Sequence, residues 1–172
     1  MHLVSVWGTE QSLTLAPVAT AEKSNEVTAI PQVLDLVDVH GAIVTIDAMG
    51  TQRDIAEKIV TRGGDYVLPV KGNQEHLEQA VTDFFADHLE DDFARVKVSR
   101  LETTETRHGR VEKRAYFQVN VPANFPGAKR WKGLRTLGLV VRTREINGVE
   151  SDEIQCSISS LKRNVKLFAK AV

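Results

Sequence analysis

The side chain with the clearest chemical setting is Asp47. It follows the apolar run Val44-Thr45-Ile46 and leads into Ala48-Met49-Gly50, so a strand delivers a carboxylate at its carboxyl end. Open α/β sheets gather ligands and metals at that end. Mg2+ takes a few carboxylate oxygens together with water and phosphate, which makes an aspartate there a fit for phosphoryl transfer. The same residue could equally satisfy backbone donors at the turn into the next helix, a common place for Asp. Spacing alone leaves both uses open.

Two-metal phosphoryl transfer needs several acidic groups around cations roughly 4 Å apart. Partners for Asp47 are not evident. Asp35, Asp38, Asp54 and Asp65 fall on helices or turns, and Asp83, Asp87, Glu90, Asp91 and Asp92 read as an acidic surface run. Gly63-Gly64 and Lys71-Gly72-Asn73 match neither phosphate-loop pattern. The five histidines lack metal-ligand spacing, and Ser157, Ser159 and Ser160 lack a nucleophile-elbow context. Two segments remain that could touch phosphate. Lys71 and Asn73 follow a strand on the same sheet end as Asp47, with a helix-capping turn at Asn73 as the other reading. Arg110, in His108-Gly109-Arg110, could contact phosphate, although a hairpin turn explains that segment more cheaply.

The elements that would position these residues can be read in order. Segments 3–7 and 13–18 read as two short strands. A helix follows with Pro31 in its first turn and Ile30, Leu34 and Val37 on one face. Segment 42–46 is a continuous apolar strand of the kind buried on both faces. The next helix takes Thr51 as its N-cap and stops at Gly63-Gly64. Segment 66–70 is a strand, and Pro69 within it argues for a sheet edge. A third helix carries Leu77, Val81, Phe84, Phe85 and His88 or Leu89 along one stripe. Beyond Phe93 the period becomes two, and Asn147-Gly148 marks a tight hairpin between 134–146 and 149–159. From Asn164 a helix begins.

Composition bounds the class. The chain has 172 residues, 42% of them hydrophobic and 26% charged, enough for a proper core and ordinary for a soluble domain. No apolar run reaches membrane length and no signal peptide is visible. The single cysteine, Cys156, excludes an intramolecular disulfide and suits a reducing cytoplasm. The net charge of −1 is low for a self-sufficient DNA-binding domain, and Lys and Arg are scattered with only mild clusters at 107–114, 129–135 and 162–170, so a chain that touches DNA would supply only part of the basic surface.

Five segments in order, Glu22-Lys23-Ser24-Asn25-Glu26, Val44 to Gly50, Gly63 to Leu68, Lys71-Gly72-Asn73-Gln74 and His108 to Glu112, resemble the H-repeat-associated insertion-sequence transposases, a DDE family. The resemblance extends to Ile158-Ser159-Ser160-Leu161. It implies an α/β, RNase H-like core with its first strand missing and a β-rich insertion in the second half. The division would be 1–92 for the partial core, 93–160 for the insertion and 161–172 for the start of a C-terminal helix. Asp47 matches the family's second catalytic aspartate, a ligand for Mg2+ or Mn2+. The first aspartate and the final glutamate would fall outside the chain, so the fragment alone is expected to be inactive and to bind no cation. DNA at transposon ends is the implied partner, with Lys71, Asn73 and Arg110 as the contacts to expect, and a homodimer is the implied assembly. Pro69 and the Leu161-Lys162-Arg163-Asn164 lead depart from the family pattern. Two other readings stand beside this one: a non-catalytic remnant that binds DNA or a transposase subunit, and an unrelated α/β domain with a small-ligand site near Asp47. In the RNase H-like arrangement the missing strand lies between 3–7 and 43–46. Its loss predicts direct pairing of those two strands, dimerisation through the gap, or marginal stability.

Overall fold

Alternating apolar residues in the second half and helical stripes in the first build one twisted sheet with helices on both faces. The computed structural model describes residues 2–8, 13–20, 26–107, 110–146 and 149–172. The elements run β1 (His2–Gly8), β2 (Leu13–Thr20), α1 (Glu26–Leu36), β3 (Ile43–Thr45), α2 (Arg53–Thr61), β4 (Asp65–Val70), α3 (Glu75–Glu90), β5 (Val98–Arg107), β6 (Arg110–Asn120), β7 (Thr136–Ile146), β8 (Val149–Ser159) and α4 (Val165–Ala171).

Strands β1 and β2 form a separate antiparallel pair, and α1 lies beside them. The remaining strands make one sheet in the order β3-β4-β8-β7-β6-β5. Only β3 and β4 are parallel, with Thr45 opposite Val67; every other pairing is antiparallel. The period of two sorts each strand between two layers. Tyr66, Leu68 and Val70 of β4, Leu137 and Leu139 of β7, and Cys156 and Ile158 of β8 meet Ile55 and Ile59 of α2 and Val81 and Phe85 of α3. Val67, Tyr116 and Val140 point the other way, onto Phe168 of α4. Gly138 makes room for that ring: a Cβ there would sit 2.3 Å from Phe168 Cζ.

Several expectations from the sequence hold. The stripe on α3 buries Leu77, Val81, Phe85 and His88, while Leu89 stays exposed. Gly63 ends α2 with φ +80°, and its amide and that of Gly64 donate to Val60 O and Ile59 O. The C-terminal helix begins at an N-cap, Asn164, whose side chain accepts from Leu167 N at 3.2 Å. Asn147-Gly148 and His108-Gly109 lie outside the described residues. The strands they join pair Ile146 with Val149 and Arg107 with Arg110, the register a two-residue hairpin requires.

Others are corrected. Pro31 sits inside α1 rather than in its first turn, because the helix starts at Glu26. Strand β3 is shorter than expected and lies at the sheet edge, with Ile43 and Val44 half-buried and Thr45 exposed. Pro69 does not mark an edge: β4 lies between β3 and β8. The proline is tolerated because its carbonyl, and with it the side lacking an N–H, points away from β8, beyond the last residue of β3. There Thr51 Oγ1 donates to Pro69 O at 2.6 Å. Thr51 is therefore a buried strut and not the cap of α2, whose N-cap is Gln52 without a side-chain bond. Among the described residues β1 and β3 do not pair; they belong to different sheets.

Candidate functional site

The parallel pair β3–β4 brings two segments to one end of the sheet. Asp47 lies just past β3, and the turn 71–74 lies just past β4. Asp47 caps a single 3-10 turn, Ala48–Gly50, with its Oδ1 accepting from Ala48 N at 2.5 Å. The carboxylate is exposed, and among the described residues Oδ2 has no hydrogen-bond partner. Both roles that spacing left open are therefore compatible: one oxygen fixes the turn and the other is free to bind. Met49 beside it is 52% exposed, an unusual degree for a large apolar side chain in a constrained turn.

The loop that carries Asp47 is held from below and from the side. Gly50 is buried, and a Cβ there would lie 2.2 Å from Ile46 Cγ2 and 2.9 Å from Ile30 Cδ1, so only glycine lets the turn close onto the strand it leaves. From the β4 side, Asn73 Nδ2 donates to Ala48 O at 2.7 Å. Gln74 Nε2 donates to Thr51 O at 3.1 Å. Thr51 closes the third tie through Pro69 O. Asn73, Gln74 and Thr51 thus fasten the Asp47 loop to β4 and the start of α3.

Of the four residues singled out in the sequence, the structure brings Asp47, Lys71 and Asn73 to the same sheet end. Lys71 is exposed and forms no ion pair among the described residues. Asn73 has its amide nitrogen committed to the loop. Arg110 opens β6, on the far side of the sheet from β3, and its side chain lies outside the described residues. Sequence reading missed Thr51, Gln74 and Gly50. The adjacency of Met49-Gly50-Thr51 to the carboxylate was the available signal, but their partners sit across a strand-helix-strand crossover.

Three of the other acidic candidates have partners of their own. Asp35 pairs with Lys58 at 2.6 Å, Asp38 accepts from His40 N at 2.9 Å, and Asp65 accepts from Ser160 Oγ at 2.6 Å. Among the described residues, no three His, Cys, Asp or Glu side chains gather as a metal site. At this end of the sheet, Asp47 presents an exposed carboxylate whose Oδ2 is free of hydrogen bonds among the described residues. Burial pushes the Cys156 thiol up, which leaves it a poor nucleophile and ligand. No helix among the described residues is long and apolar enough to cross a membrane.

Comparison with known proteins fits this arrangement. A family model described as "Transposase DDE domain" matches residues 1–164. "Putative transposase YncI" of Escherichia coli is 39% identical over 176 residues, covering 100% of this chain and 44% of its own. "H repeat-associated putative transposase YhhI" of Escherichia coli is 37% identical over 181 residues, covering 100% of this chain and 46% of its own. "Uncharacterized protein in dhlA 3'region" of Xanthobacter autotrophicus is 40% identical over 161 residues, covering 93% of this chain and 53% of its own. The chain spans about half the length of these curated relatives. No solved structure matches it.

Proposed function

Because the chain belongs to the DDE transposase family, we propose that it supplies the Asp47 portion of a metal-dependent centre that cuts and joins DNA strands. Asp47 would hold the divalent cation, Mg2+ or Mn2+, and its Oδ2 is the oxygen that the Ala48 amide leaves uncommitted. The cation, when bound, neutralises phosphate charge and activates the attacking water or 3′-hydroxyl. Lys71, exposed at the same sheet end, meets a phosphate oxygen, and Asn73 keeps the carboxylate in place through Ala48 O. The further acidic ligands come from outside this chain, so the 172 residues alone carry out no strand cleavage. Arg110 is assigned a backbone contact on the β-rich half.

The observation that carries this reading is the half-used Asp47 carboxylate on a loop tied at three points. The test exchanges this chain for the matching segment of a full-length relative and measures Mg2+-dependent cleavage of transposon-end DNA. Asp47→Ala should abolish cleavage, whereas Asp83→Ala, an exposed carboxylate on α3, should leave it intact. Equal activity of the two variants would remove Asp47 from the centre.

A further inference from the structure

A second charged feature lies alongside α2. A shallow recess is lined by Arg53, Asp54 and Glu57 of α2 and by Lys129, Arg130 and Lys132 of the loop before β7. All six side chains are exposed, and among the described residues none of the four cations forms an ion pair, not even with the two carboxylates in the same recess. The cations outnumber the carboxylates and keep their donors uncommitted.

The loop is built to present them. Gly127 and Gly133 have φ of +74° and +71°, and the backbone reverses at both. Between them Trp131 is only 4% exposed and anchors the loop in the core, so its neighbours Arg130 and Lys132 are turned outward. Arg130 N donates to Gly127 O at 2.9 Å and Trp131 N to Ala128 O at 3.1 Å. Gly133 packs against α2, where a Cβ would lie 3.2 Å from Val60 Cγ2. The backbone that carries Lys129, Arg130 and Lys132 is thus set before any partner arrives, so binding need not order the loop itself.

We propose that this ridge is a docking surface for the sugar-phosphate backbone of duplex DNA. The proposal rests on the transposase reading and adds a contact surface to it. Between Arg53 and Val60, α2 rises about 10 Å, a length over which one strand of a duplex presents about three phosphates. Arg53 opens α2 directly after the Asp47 loop, so a backbone lying on the ridge leads toward the carboxylate. Both aromatics of the loop, Phe125 and Trp131, are buried and unavailable for base stacking, so the ridge reads phosphate and not sequence. The chain carries a net charge of −1, so its overall charge does not attract DNA and a local surface must do so.

The test titrates the 172-residue chain against a fluorescent duplex at several salt concentrations. The wild-type chain should bind with an affinity that falls as salt rises. The triple variant Lys129→Gln, Arg130→Gln, Lys132→Gln should lose at least about tenfold in affinity, with the slope of log K against log salt reduced by about two to three, near 0.9 per lost phosphate contact. A variant with the same charge change on α4 and its lead, Lys162→Gln, Lys166→Gln, Lys170→Gln, should bind as the wild type does. Circular dichroism checks that each variant is folded, and Lys129→Gln alone should reduce the slope by about one. Equal loss in both triple variants, or a wild-type chain that does not bind duplex, overturns the proposal. The ridge test reads salt-dependent binding by the chain without added metal, and the Asp47→Ala test reads cleavage in the full-length exchange, so a failed ridge and a failed metal centre give different results.

Discussion

Replacing Gly50 with alanine should separate a loop that is held by packing from one that merely follows the strand. The added Cβ would lie 2.2 Å from Ile46 Cγ2 and 3.3 Å from Ile46 Cβ. Ordinary carbon contacts begin near 3.5 Å, so a shift of roughly 1.3 Å is demanded. The methyl that must yield sits on a β-branched carbon, which has little rotamer freedom. Overpacking of this kind costs about 1–3 kcal/mol, and the stiffer unfolded chain returns about 0.4–1 kcal/mol. The net loss is then roughly 0–2.6 kcal/mol, a drop in Tm of up to about 10 °C for a chain of this size. Urea titration of Gly50→Ala, Ile46→Ala and the double variant measures it directly. Removing Cγ2 relieves the larger clash and leaves the flexible tip of Ile30, at 2.9 Å, to swing aside, so the pair should couple by at least about 1 kcal/mol, beyond the roughly 0.5 kcal/mol scatter of independent sites. Additive losses would refute the packing argument. In the full-length exchange the same substitution should lower cleavage by roughly 100-fold, the effect of a 1 Å misplacement in a reacting centre.

Gly138→Ala should destabilise the chain by about 1–3 kcal/mol in urea, because its Cβ meets the fully buried Phe168 ring at 2.3–2.5 Å; an unchanged midpoint would mean that α4 does not rest on β7. Tyr66→Phe should leave stability unchanged or raise it by up to about 1 kcal/mol, since the Tyr66 hydroxyl is buried without a partner among the described residues and burial drives its pKa upward; a lower Tm would contradict this. Glu112 loses solvent to its neighbours, which alone would raise its pKa, but hydrogen bonds from Arg114 and Arg144 outweigh that and hold it below the usual carboxylate value. Its contribution to stability is therefore present above about pH 4.3 and lost as pH falls through the lower folded value. The stability gap between wild type and Glu112→Gln should shrink below about pH 5, and a gap independent of pH would remove the ion cluster from acid unfolding.

The sequence made the local elements legible wherever one physical signal ruled. The α3 stripe, the glycine stop of α2 and the Asn164 cap each depend on residues a few positions apart. It failed where a distant segment decided the outcome. Pro69 argued for an edge because nothing near it in sequence reveals that β8, some ninety residues later, occupies one side while Thr51 serves the other. Thr51 read as a cap for the same reason: its acceptor lies across a crossover. For the site, the placement of Asp47 at a strand end was readable from the apolar run before it. The ties from Asn73 and Gln74 were not, because an amide side chain gives no sign in sequence of which carbonyl it will find. The Lys129–Arg135 cluster was visible as charge, but the buried Trp131 that orients it emerges only from the fold.

The length of β3 has a kinetic meaning. It offers 3 residues to the sheet and has a neighbour on one side only, whereas β7 runs 11 residues between two long partners. Such elements open locally at a small fraction of the free energy needed to unfold the whole chain. The carboxylate thus hangs from the part of the sheet that detaches first, and the ties from Thr51, Asn73 and Gln74 set how often it does so. The Asp47 end of the sheet is thus its weakly anchored end, and the long hairpins around β7 are its strongly anchored one.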